Sequence, residues 1–205
     1  MQGVRVHNVQ GHALEARHVR LTAINSQFSN AGLDCLNLKG GHYEFVHCTI
    51  AQFYPLVGGK GVALKFSNFE DKTPLPLEQL LFENCIITGS GSDDIMGSQS
   101  DRYKDLAFNY AFSHCLLNTP KVKDDAHFID CLWEKDNKEH SGAKNFTPEF
   151  DYDKLVFKFQ LDSLSSAVNA GSYEIASKKA PYDLRGINRL QDIKPDLGCY
   201  ERKEE

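Results

Sequence analysis

A chain of 205 residues with 41% apolar content can bury one sizeable core. Its net charge is −5 and its densest basic stretch is the pair Lys178-Lys179, which excludes the concentrated cationic footprint that nucleic acid requires. No run of eighteen apolar residues is present to span a membrane.

The first residues, Met1-Gln2-Gly3-Val4-Arg5-Val6, lack the apolar stretch of a signal peptide. The chain therefore reads either as cytosolic or as a mature or truncated piece of an exported protein, and the repeats favour the second. A short pattern recurs: an apolar residue, a small polar residue or His, then Ser or Cys, then apolar residues. It appears as Ile24-Asn25-Ser26-Gln27-Phe28 and Val46-His47-Cys48-Thr49-Ile50. It returns as Phe82-Glu83-Asn84-Cys85-Ile86-Ile87, Phe112-Ser113-His114-Cys115-Leu116-Leu117 and Phe128-Ile129-Asp130-Cys131-Leu132. A looser copy begins at Val6-His7-Asn8-Val9. Intervals of 22, 37 and 30 residues separate Ser26, Cys48, Cys85 and Cys115, the mark of a constant core with variable loops.

Between the copies lie short period-two segments bounded by glycine. One is Leu33–Leu38, ahead of Lys39-Gly40-Gly41; another is Val62–Phe66, behind Gly58-Gly59-Lys60-Gly61. The expected fold class is all-β: a right-handed parallel β-helix with about three strands per coil and an irregular C-terminal segment. Stacked coils place equivalent residues about 4.8 Å apart. Asn25 and Asn84 suit a left-handed bend, and His47 and His114 occupy the same position. Ser26, Cys48, Cys85, Cys115 and Cys131 should then form an inward column of small residues, with the thiols free. The six cysteines contain no CxxC pair, so a zinc knuckle is not expected.

Segment 20–133 resembles the right-handed parallel β-helix repeat proteins common among Bacteroidetes, of the pectin-lyase-like superfamily, most closely over Gly41–Ala51. The stretches Asp162–Gly171, Tyr182–Arg189 and Pro195–Glu201 resemble the "SPAINAG…DLDGNPR…DIGAYE" tail that follows many of them. Departures are Ser166 for Pro, Arg185 for the second Asp, Ile187-Asn188 for Asn-Pro and Cys199 for Ala. The resemblance implies export and surface display, and it implies no single activity. It divides the chain into coils over 1–133, a polar linker over 134–160 and a capping tail over 161–205. In the tail, Asp183, Arg189 and Asp196 are expected to pair with each other and with turn amides. The end around Met1 carries no cap, so pairing with further coils or with another copy is expected there.

The substrate groove of enzymes in this superfamily runs along one sheet, taken here as strands 12–17, 33–39 and 62–67. With Leu14, Leu36 and Leu64 inward, the ligand-binding rows are Glu15, Asn37 and Lys65, then Arg17, Lys39 and Ser67. Glu15 and Lys65 should lie about 10 Å apart, two rungs. A polysaccharide lyase needs several carboxylates for Ca²⁺ and an Arg or Lys as base, and a hydrolase needs facing carboxylates. The rows hold one carboxylate. Asp93 and Asp94, with Lys65, are the catalytic candidates. No metal site is expected, and Ca²⁺ enters only with a lyase. The aromatic residues Tyr54, Phe69, Tyr103 and Trp133 are further leads to sugar binding. The reading is therefore a secreted or surface β-helix that binds glycan or acts in adhesion or as a scaffold. The alternative is a lyase or glycoside hydrolase acting on acidic polysaccharide.

Overall fold

The computed structural model describes residues 1–54, 61–123, 125–148, 150, 151, 153, 155–191 and 193–202. The flank Gly58-Gly59-Lys60 lies outside them. The strands run, in chain order, β1 (Arg5–Val9), β2 (Leu14–Ile24), β3 (Gln27–Ala31), β4 (Leu36–Val46), β5 (Thr49–Gln52), β6 (Leu64–Ser67), β7 (Phe69–Glu70), β8 (Thr73–Pro74), β9 (Leu77–Glu83), β10 (Ile86–Gly89), β11 (Ile95–Ser98), β12 (Phe108–Ser113), β13 (Leu116–Leu117), β14 (Phe128–Ile129), β15 (Leu132–Trp133), β16 (Phe150–Asp151) and β17 (Val156–Phe157). One helix, α1 (Tyr173–Lys179), follows, with Ser172 Oγ accepting from the Ile175 N–H at its start.

The fold is mostly β and built on two parallel sheets. The first has the order β1-β3-β5-β10-β13-β15. The second has the order β11-β6-β4-β9-β12-β14, with β2 also paired to β4. The second sheet bends within β4. Its residues 36–39 pair with β6 and its residues 41–46 with β9. Gly40 (φ 56°) and Gly41 (φ 94°) make the bend, and a Cβ at Gly40 would stand 2.6 Å from the Leu75 carbonyl oxygen. One strand thus pairs with β6 on one side of the bend and with β9 on the other.

The expected column of bends is present. Asn25, His47, Asn84, His114 and Asp130 all have φ between 47° and 52°. Each following Cys thiol donates to a carbonyl one rung back: Cys48 to Ala23, Cys85 to Phe45, Cys115 to Phe82 and Cys131 to Phe112, at 3.3–3.5 Å. All six cysteines are free. The copy at Val6-His7-Asn8-Val9 is corrected: β1 pairs with β3, so Val6 aligns with Phe28 and His7 with Ser29. The residue before the first strand that matches Asn25 is Gly3, at φ 65°.

Inside, Phe45, Phe82, Phe112 and Phe128 stack face to face across four strands, with centroids 4.7, 5.4 and 5.3 Å apart. Each ring removed from water contributes roughly 1.5–3 kcal/mol. Trp133 packs on Phe128 at the end of this column.

The parallel sheets end at Trp133, and the segment that follows packs back on them through its phenylalanines. Phe146, Phe157 and Phe159 are buried with Ala51, Phe53, Ile86 and Leu116, forming a second core on the outer face of the first sheet. The apolar pairs Ile86-Ile87 and Leu116-Leu117 are what a strand covered on both faces requires. The tail closes over the bend column: Gly198 N–H donates to the Asn84 carbonyl, and Asn84 exchanges two bonds with Ser172.

Candidate functional site

The predicted groove face has the predicted register. Glu15 pairs with Asn37 and Asn37 with Lys65; Arg17 pairs with Lys39 and Lys39 with Ser67. The structure adds Glu70, carried over this face by the β7–β8 hairpin inserted at the bend. Lys39 Nζ lies 2.9 Å from Glu15 Oε1 and 2.7 Å from Glu70 Oε1, and Arg17 Nε lies 2.9 Å from Glu70 Oε2. The hydrogen bonds that Lys39 donates to Glu70 and Glu15 hold its ammonium above its ordinary pKa, and Lys39 in turn holds both carboxyls below theirs. Three of the named groove residues are therefore locked to one another in their charged forms.

Asn37 points outward as expected but is nearly covered, at 7% exposure. Its amide lies 3.2 Å from His12 Nε2 and 3.3 Å from Glu15 Oε1. His12 Nδ1 is 3.5 Å from Asp34 Oδ2, so Glu15 and Asp34 join one network through His12 and Asn37. Lys65 remains exposed on the same face, with no ion pair among the described residues.

Asp93 and Asp94 precede β11 and are disposed differently: Asp93 is exposed and accepts from the Ile95 N–H, whereas Asp94 is 2% exposed. Asp94 lies one rung along from Ala63, in the inward column. The Asn118 amide donates to its Oδ2 at 2.7 Å and also to the Gly91 carbonyl. Burial pushes its carboxyl up to about 6.

Sequence reasoning missed Glu134, which is 2% exposed within the supposedly polar linker. It accepts from the Gly142 N–H at 3.0 Å and from the Asn145 amide at 2.8 Å. Burial raises it to about 7, opposed by the hydrogen bond from the Gly142 N–H and assisted by the charge of Asp94. A cleft of about 370 Å³ lies over it, lined by Gly89, Gly91, Asn118, Lys135 and Ser141 among others. Two carboxyls near neutrality beside a cleft could hold and release protons, a property shared by catalytic acids and pH-sensitive structural ties.

The tail charges are structural ties. Asp183 accepts from the N–H groups of Arg185, Ile187 and Glu201, and Asp196 from those of Asn169 and Arg202. The buried partner of Arg189 is Glu201. Of the aromatic leads, Trp133 is 8% exposed in the core, and the Tyr103 hydroxyl donates to the Lys72 carbonyl.

Among the described residues, no group of three His, Cys, Asp or Glu is placed to hold a metal ion, and no helix is long and apolar enough to cross a membrane. Compared with protein-family models, with curated proteins and with solved structures, the chain matches none.

Proposed function

We propose that this chain is a right-handed parallel β-helix of pectin-lyase-like type, displayed outside the cell, that binds glycan along the exposed face of β2, β4 and β6 without turning it over. The observation that carries the reading is the locked Arg17–Glu70–Lys39–Glu15 network beside the exposed Lys65. Hydrogen-bonding groups repeat along this face at the rung spacing of about 4.8 Å. Their mutual ion pairs fix them before a ligand arrives, which lowers the ordering cost of binding. The same pairing works against acid–base chemistry. A lysine held above its ordinary pKa keeps its proton and cannot act as a base, and carboxyls held below theirs stay ionised, with no proton to donate and little basicity. The parallel in-register columns and the strand alternation between sheets support the β-helix. The edge strands β1 and β2 are where further coils or a second copy would pair.

Affinity electrophoresis through gels containing polygalacturonate, xylan or a neutral β-glucan tests the binding. Retardation by at least one of them, weakened several-fold in Lys65→Ala and Arg17→Ala, is the expected result. Unretarded migration through every gel would remove the reading. Release of unsaturated product or reducing ends, abolished by Lys65→Ala, would replace it with a lyase or hydrolase on acidic polysaccharide. The near-neutral carboxyls of Asp94 and Glu134 are the observation favouring that second reading.

A further inference from the structure

A wider cleft than that over Glu134 lies between β1 and the C-terminal segment. It encloses about 670 Å³ and is lined by Arg5, His7, Val156, Lys158, Arg185 and Tyr200 among others. Acidic residues outnumber basic ones 28 to 23 in the chain, yet no Asp or Glu among the described residues lines this cleft. Three cations line it instead, drawn from the first strand, from β17 and its extension, and from the tail.

Two of these cations are poised differently. Arg5 is exposed and makes no ion pair among the described residues. Arg185 is held in place: Nη2 donates to the Glu201 carbonyl at 2.7 Å, and the guanidinium sits 5.5 Å from the centre of the Tyr200 ring. The Asp183 carboxylate is 3.6 Å behind its Nε, but that carboxylate is already engaged by three backbone N–H groups. Tyr200 is anchored through its hydroxyl, which donates to Gln27 Oε1 at 2.9 Å. Burial pushes that hydroxyl up to about 12, and the fields of both Arg5 and Arg185 act on it in the opposite sense. Both guanidiniums and the Tyr200 ring line the one cleft. Beside them Val156 is 45% exposed, leaving an apolar surface next to the cationic one.

Guanidinium groups recognise oxyanions through paired N–H donors, and an apolar wall accepts the body that carries the charge. We infer that this cleft is an oxyanion-binding site that takes a carboxylate or sulfate group carried on a ring compound, as in an acidic saccharide. It lies away from the face of β2, β4 and β6 and does not rest on the glycan reading given to that face.

Isothermal titration calorimetry at low salt tests it with four probes: tetragalacturonate, a heparin-derived tetrasaccharide, sodium sulfate and maltotetraose. At least one acidic tetrasaccharide should bind ten-fold or more tightly than maltotetraose. Arg5→Ala and Arg185→Ala should each weaken that binding about ten-fold, and Arg5→Glu should abolish it. Should Arg185→Ala fail to fold, Arg5→Ala on the exposed first strand carries the test alone. Equal binding of maltotetraose, or full binding by folded Arg5→Ala, would overturn the site. Sulfate binding as tightly as the saccharides would overturn the ring-bearing ligand.

Discussion

Arg189, a residue with no exposed side-chain surface, lies 2.6 Å through Nη1 from Oε2 of Glu201, itself 1% exposed. Nη1 and Nη2 of Arg189 also reach the Asn25 side chain and the carbonyls of Asp196 and Gly198, and Glu201 also accepts from the Asp196 N–H. The pair fastens the tail to the bend at Asn25. Burial pushes the Glu201 carboxyl up, and the guanidinium pulls it down.

Removing one partner leaves the other as an uncompensated buried charge, at roughly 3–5 kcal/mol. Arg189→Ala and Glu201→Ala should each lose about that much in urea denaturation. The double variant should lose less than the sum of the two. Single losses under about 1 kcal/mol would contradict the tie.

Asp94 and Glu134 make stability depend on pH in a defined direction. Their native pKa values, about 6 and about 7, lie above those of the unfolded chain, so the native state holds extra protons between roughly pH 4 and 7. Their contribution is therefore largest at the acid end and is lost as pH rises through 6 and 7. Asp94→Asn with Glu134→Gln removes the titration while keeping one of the two oxygens through which Glu134 accepts, a loss that does not change with pH. The stability of this double variant relative to the parent should grow from pH 5 to pH 8, by at most about 1.4 kcal/mol per pH unit per group. A constant difference across that range would show that neither carboxyl is perturbed.

His47 acts with the opposite sign. Burial, and then the charge of Arg189, lower its pKa well below 6.5, so it folds neutral while the unfolded chain takes up a proton below that pH. Stability from this group is present above about pH 6.5 and fades as pH falls. His47→Asn suits the left-handed bend, as Asn25 and Asn84 do, but gives up the bond from the Asn84 amide at 2.9 Å. Thermal melts should place the variant slightly below the parent at pH 7.5 and close the gap, or reverse it, at pH 5. Parallel curves at the two pH values would mean that His47 does not titrate on unfolding.

The thiol column has one accessible end. Cys48, Cys85 and Cys115 have no exposed surface and their pKa values are raised by burial, while Cys131, half-buried on the last rung, is lowered by its hydrogen bond with Cys115. Iodoacetamide applied to the folded protein should label Cys131 first, with the other five labelled only after unfolding. Prior labelling of Cys85, or equal labelling of several thiols, would refute the stacked arrangement.

Much of the scaffold could be read from local pattern. The bend residue followed by Ser or Cys recurs because every rung meets the same geometry, so Asn25, His47, Asn84, His114 and Asp130 share one backbone conformation. The alternation around Leu14, Leu36 and Leu64 was enough to place Glu15 beside Asn37 and Lys39 beside Arg17. The 37-residue interval between Cys48 and Cys85 signalled an insertion, but not that Glu70 would return from it to Lys39. Glu134 sits among Lys135, Asp136 and Lys138, so its neighbours in sequence gave no sign of burial.

The amino-acid order by itself determined the strands, their inward columns and the register of neighbouring rungs. These depend on period-two alternation and on hydrogen bonding between successive repeats, both of which are written locally. Tertiary structure alone decided which charges meet: Lys39 with Glu70, Arg189 with Glu201, and Arg5 and Arg185 on the lining of one cleft. Those meetings require distant segments to pack on a finished sheet, and the side chains they bring together carry no periodicity that announces a partner.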